Sequence, residues 1–183
     1  VNGNNVYLQD DKAAILMYLS SHTLTAGKSY TGCVTGQGKL YNGLHEITAI
    51  DLRGITPADN TIAPTTVTLA ELNANFDAYE SMYVKVEGVT TGTFTTSGSY
   101  QLTTITQETD ELQLKAPSTL SLIENNDYDF VGFPGCYNSD KQFNIWEEGQ
   151  AINRGKLSAN LAFEQESYTV EIDKTVVVKA TNA

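Results

Sequence analysis

Two long strand-like stretches of this chain have to bend. Lys28 to Tyr41 carries aromatic and β-branched residues with glycine at 32, 36 and 38, and Tyr128 to Tyr137 resembles it, with Gly132, Pro134 and Gly135. Glycine inside a strand marks a bulge or corner, and proline removes a ladder donor, so such strands turn from one sheet direction into another. Each is followed by a polar turn and a returning strand, Leu44 to Leu52 in one case and Phe143 to Trp146 in the other. A bent strand with a returning partner, used twice, points to two small barrels in tandem.

The rest of the chain fits that reading. Val6-Tyr7-Leu8-Gln9, a turn at Asp10-Asp11-Lys12 and Ala14 to Tyr18 read as a hairpin. Asn42-Gly43 closes a second hairpin, because both residues tolerate the positive φ of a type I′ turn. Arg53 to Pro64 holds two prolines among small polar residues and reads as a linker. Thr68-Leu69-Ala70-Glu71 matches a capping box, and Leu69, Leu72 and Phe76 share a face, which predicts a helix over about 69 to 79. From Met82 the strand pattern returns more fully: Tyr83 to Val89, Tyr100 to Thr106 and Leu112 to Lys115, then a connection at Ser118 to Asn125 and the second bent strand with its return. Five strands with a kinked fourth fit the OB-fold, a small, partly open Greek-key barrel.

The predicted class is therefore all-β, with two OB-like five-stranded barrels in tandem. The expected divisions are an OB-like unit over 1–53, a linker with its helix over 54–81, a second OB-like unit over 82–152 and a C-terminal β segment over 153–183. No strand precedes Val6, so the first barrel is expected to be one strand short. The tail alternates Tyr168, Val170 and Ile172, turns at Asp173-Lys174 and continues through Val176 to Val178. A hairpin alone is marginal in water, so the tail either starts a following sandwich domain or supplies the strand the first barrel lacks.

Charge narrows the function. Eleven Lys and Arg against 22 Asp and Glu give a net charge of −11, with 4 basic and 8 acidic groups in residues 1–80 and 7 and 14 in residues 81–183. Such a field repels phosphate backbones and acidic membrane surfaces, so nucleic acid is disfavoured as a partner. No window approaches the 18 or so apolar residues of a membrane span. Cys33 and Cys136 lack the paired spacing of a zinc site, and whether they pair with each other stays open.

Val67 to Asn75, followed by Tyr79 and by Tyr83-Val84-Lys85-Val86-Glu87-Gly88-Val89, resembles the linker and first strand of secreted OB-fold domains from Gram-negative gut anaerobes. Val6 to Asp10 resembles the second strand of the same modules. That family carries such domains in tandem in surface lipoproteins, often followed by an immunoglobulin-like domain, whose first strands Asn160 to Val178 resemble. The resemblance implies an extracytoplasmic setting (cell surface, periplasm or secreted) and no shared catalytic motif. A lipidated N-terminal cysteine is not seen in the sequence.

Local imitations of chemistry fail on their geometry. Gly27-Lys28-Ser29 looks like the end of a phosphate loop, but its first glycine would fall at His22 and a strand follows. Asn125, Asp127 and Asp129 have calcium-loop spacing, yet Phe130 stands where glycine is required. Asp10-Asp11 and Glu147-Glu148 are adjacent carboxylates, which in strands point to opposite faces and cannot flank one bond, so they read as solubilising charge. Ser20-Ser21 beside His22 lacks a nucleophile elbow, and His45 stands alone.

What survives is a surface. If Val6, Leu8, Ile15 and Met17 face the first core, alternation turns Tyr7, Gln9, Leu16 and Tyr18 outward on strands two and three, the face on which OB barrels bind their ligands. These four are the candidate ligand-binding residues; the opposing reading is that another domain or the helix covers them. Tyr100, Tyr137 and Trp146 pose the same choice in the second unit, with Trp146 expected in the core. No cofactor, metal site or catalytic residue is expected. The expected function is a non-catalytic binding or spacer module contacting glycan or protein; the alternatives are a single-stranded nucleic-acid-binding protein and an accessory domain of an extracellular hydrolase.

Overall fold

A computed structural model gives an all-β protein with two short helices and describes residues 2–58, 62–155, 161–163 and 180–182. In chain order the elements begin with β1 (Asn5–Gln9), β2 (Ala14–Tyr18), β3 (Ser29–Gly32), β4 (Thr35–Tyr41), β5 (Leu44–Asp51), β6 (Ile55–Ala58) and β7 (Thr65–Val67). The helices α1 (Leu69–Ala74) and α2 (Phe76–Tyr79) follow. Then come β8 (Val84–Thr91), β9 (Thr95–Ser97), β10 (Tyr100–Gln107), β11 (Asp110–Pro117), β12 (Asp127–Tyr137) and β13 (Asp140–Asn144). A 3-10 turn at Glu148–Gln150 leads into β14 (Ala151–Gly155), and β15 (Leu161–Phe163) and β16 (Ala180–Asn182) end the series.

The second unit closes on itself. β8 pairs antiparallel with β10, β10 with β11, β11 parallel with β13, β13 antiparallel with β12, and β12 antiparallel with β8. Its core includes Val84, Val86, Val89, Ile105, Leu114, Phe130 and Phe143, all fully buried. Alternation within β8 produces this directly: the valines at 84 and 86 face in while Lys85 and Glu87 face out, and Gly88 at φ +63 resets the phase so that Val89 faces in again.

The first unit repeats that pattern without its first strand. β1 pairs antiparallel with β2, β2 parallel with β5, and β5 antiparallel with β4, in the order β1-β2-β5-β4. This is the sequence of pairings that joins β10, β11, β13 and β12. The two hairpin turns also match. Tyr41 is followed by Asn42 (φ 50) and Gly43 (φ 91), and Tyr137 by Asn138 (φ 52) and Ser139 (φ 73), each a pair of left-handed residues as a type I′ turn requires.

The bent strands differ in continuity. β12 runs unbroken through Gly132, where an added Cβ would lie 2.3 Å from the Asn144 carbonyl oxygen. The stretch expected as one strand from Lys28 to Tyr41 instead breaks at Cys33-Val34 into β3 and β4. Part of the expected linker is also strand: β6 pairs with β3, and β7 lies parallel to β8. β14 is the counterpart of β6, returning along the first half of β12.

The helix forms where the capping box predicts it. The Glu71 amide donates to Thr68 Oγ1 at 3.1 Å and the Thr68 amide to Glu71 Oε2 at 2.9 Å. It is interrupted at Asn75, whose backbone (φ −125, ψ 34) leaves the helical region, so the expected single helix is two. Leu69, Leu72 and Phe76 bury their shared face in the core of the ring. β15 and β16 pair antiparallel with each other as a separate two-stranded sheet. The expected hairpin from Tyr168 to Val178 lies outside the described residues.

Candidate functional site

The two units meet through the outward faces of matching strands. Tyr7 and Leu16 are cross-strand partners on one face of the first sheet, and Val6 and Met17 on the other. Val6 and Met17 are buried in the first core as alternation predicts. The opposite face, however, looks onto the second unit as well as onto solvent. Tyr7 lies 4.3 Å from Phe133 and 5.2 Å from Trp146, ring centre to ring centre, and Phe133 in turn lies 5.3 Å from Tyr83. Burial pushes the Tyr7 phenol well above its ordinary value, with Tyr100 adding to the effect.

Polar contacts fix the same junction. The Tyr83 amide donates to Gln9 Oε1 at 2.6 Å, and Glu80 Oε1 accepts from the His45 amide at 3.1 Å and lies 2.8 Å from His45 Nδ1. The two hairpin turns abut: a Cβ on Gly43 would stand 3.3 Å from that of Cys136.

Beside this contact the faces part into a cleft of about 290 Å³. The first unit lines it with Asn5, Tyr7, Leu16, Tyr18, Tyr41 and Glu46, and the second with Tyr100, Lys115, Tyr137, Gln142, Asn144 and Trp146. Tyr18, Tyr41 and Tyr137 are each about half exposed, at 50%, 50% and 48%. Aromatic planes that remain half in water beside convergent amides and charges can stack an apolar ring face and hydrogen-bond its polar edge.

The charges are held in place. Glu46, only 6% exposed, accepts from Lys39 at 3.2 Å, and Lys39 also lies over the Tyr41 ring at 4.5 Å. Lys115 lies over Tyr100 at 4.3 Å and Tyr137 at 5.4 Å. Among the described residues no carboxylate is within salt-bridge distance of Lys115, and burial pushes its ammonium below the ordinary lysine value. Gln142 donates to Gln113 and Asn144 to the Phe133 carbonyl, which orients both amides at the cleft wall.

Of the four residues singled out from sequence, three line the cleft. Tyr18 is exposed there, Tyr7 is shared between the cleft and the aromatic contact, and Leu16, expected outward, is buried because the second unit covers that face. Gln9 lies apart, bonded to the Tyr83 amide. Trp146, expected in the core, is only partly buried and stands 5.0 Å from Phe133 at the junction, while its neighbour Ile145 takes the core position. Tyr41, Glu46 and Lys115 were not singled out, since nothing local distinguishes them from ordinary strand residues; the repeated Tyr-Asn of the two turns is the signal that pairs Tyr41 with Tyr137.

The imitated motifs have other work. Asp129 is buried and held by Arg154 at 2.6 Å and by the Gly88 amide at 2.9 Å, while Thr90 bonds Asp127. Among the described residues no group of three or more His, Cys, Asp or Glu is placed to hold a metal ion. Cys33 and Cys136 are both free thiols, Cys33 exposed and Cys136 at the cleft wall. No helix of the described residues is long and apolar enough to cross a membrane.

No family model matches the chain, and no curated protein matches it.

Proposed function

We propose that the protein is a non-catalytic binding module of a bacterial cell-surface or secreted protein, and that carbohydrate is the ligand of the cleft between its units. The observation that carries this reading is the set of half-exposed tyrosines, Tyr18, Tyr41 and Tyr137, contributed by both units to one concavity. Sugar rings present C–H faces that pack on aromatic planes and hydroxyl edges that suit Asn5, Gln142, Asn144 and Glu46. Among the five ring strands, β8, β10 and β11 follow one another while β12, the fourth, returns beside β8, which is a Greek-key order and supports reading each unit as OB-like. On that reading β1, β2, β10 and β11 are strands two and three of their barrels, and all four contribute to the cleft. The extracytoplasmic setting rests on the resemblance to secreted tandem modules.

Single-stranded nucleic acid is the weaker reading, because a net charge of −11 opposes the counterion release that drives such binding. An accessory role beside a hydrolase predicts the same inactive binding cleft.

A glycan array tests the proposal directly, with wild type, Tyr18→Ala and Tyr137→Ala. Each substitution removes an exposed plane and lowers affinity for a bound glycan by about tenfold or more. Array signal that survives both changes overturns the assignment, and salt-sensitive retardation of a labelled oligonucleotide by micromolar protein favours nucleic acid instead.

A further inference from the structure

The two units share one pairing scheme but not one complement of strands. In the second, β8 lies between β10 and the first half of β12 and closes the ring. The opposite edge of β12 is followed without reversal by β13 and β14, from Tyr137 against Asp140 to Asp127 against Gly155. In the first, β5 and β6 follow β4 and β3 in the same way, from Tyr41 against Leu44 to Ser29 against Ala58. The counterpart of β8 would therefore lie between β1 and β3. Among the described residues no strand pairs there: β1 pairs only with β2, and β3 only with β6.

The core beneath this position is correspondingly thin. Among the described residues, fifteen apolar residues are buried in the cluster of the second unit, whereas that of the first buries Val6, Met17 and Leu19, with Leu8, Val34 and Ile50 only partly covered. Unpaired strand edges over an incompletely covered core accept an added strand, whose backbone supplies the hydrogen bonds and whose alternate side chains fill the core.

We propose that the gap between β1 and β3 is a strand-acceptor site, filled by a separate extended polypeptide segment with the chemistry of β8. The occupant is specified by its counterpart: β-branched apolar residues at alternate positions, as Val84 and Val86 are, a glycine able to adopt positive φ, as Gly88 does, and a further apolar residue beyond it, as Val89 is. It runs antiparallel to both β1 and β3, as β8 runs antiparallel to β10 and β12. This inference is independent of the ligand of the cleft.

The probe is the sequence of residues 82–91, Met-Tyr-Val-Lys-Val-Glu-Gly-Val-Thr-Thr, added as a free peptide and also fused through a flexible Gly-Ser linker ahead of residue 1 of the full chain, each beside a scrambled version. The matched fusion slows exchange of those β1 and β3 amides that do not bond β2 or β6 by about tenfold or more and raises Tm by about 5 °C or more, while the scrambled fusion does neither. The free peptide gives the same protection at sufficient concentration. Equal behaviour of matched and scrambled strands overturns the proposal. So does finding those amides already as protected as β8 in the unfused chain, where sedimentation tells a second copy from this chain's own tail.

Discussion

Asp129 shows what a single buried carboxylate does for the second unit. Burial alone would push its carboxyl up, but hydrogen bonds from Arg154 and the Gly88 amide, with the charges of Arg154 and Lys85, outweigh that and hold it below the ordinary range. A carboxyl whose folded pKa is depressed contributes stability that is complete above its unfolded value, about 3.9, and is lost as pH falls through the folded value. Asp129→Asn is therefore expected to lower Tm at pH 7 by about 3–6 °C. The gap between wild type and variant narrows below about pH 4, which thermal melts at several pH values measure. Within the calcium-like spacing of the sequence, the oxygens of this residue face cations of the chain itself.

At the scale of elements, the capping box and the bent strands illustrate different degrees of legibility. Thr68 and Glu71 satisfy each other's backbone amides within four residues, so the helix start is encoded locally. Thr68→Ala should cost about 1 kcal/mol, read as a shift of the denaturant midpoint at unchanged m. Tight hairpin turns are local in the same sense, and Asn42-Gly43 turns where the sequence says it does. By contrast, the strand character of Ile55–Ala58 comes from the free edge of β3, 29 residues away at Ser29 and Ala58, which no local pattern reports. The break at Asn75 is local again: its backbone and side-chain amides both donate to the Glu71 carbonyl oxygen and cap the first helix.

Across the whole molecule, the two units are joined by stacked aromatics and a few polar contacts. Phe133 is the centre of that contact, touching Tyr7, Tyr83 and Trp146. Phe133→Ala is expected to destabilise the protein by about 2–4 kcal/mol and to split a single calorimetric transition into two, the smaller-cored first unit melting earlier. A single transition of unchanged midpoint would mean that the junction carries no coupling. Because the cleft is formed by the same faces, loosening the junction also widens it, so ligand affinity is expected to fall with the first transition.

The sequence by itself determined the all-β class, the long glycine-containing strand β12, the hairpin turn at Asn42-Gly43, the helix start and the faces of β1 and β2, because each follows from short-range periodicity, φ preference or reciprocal hydrogen bonding. Alternation correctly put Tyr7 and Leu16 on the face opposite Val6 and Met17. Only the tertiary structure decided what that face meets. Whether an outward tyrosine is a platform or a packing residue depends on what the rest of the chain brings against it. Tyr7 is covered by Phe133 and Trp146, while Tyr18, nine residues from Gln9, stays half exposed beside Tyr137 of the other unit. The same holds for Trp146, which stands at the junction against Tyr7 of the other unit, more than a hundred residues away, a distance over which periodicity carries no information.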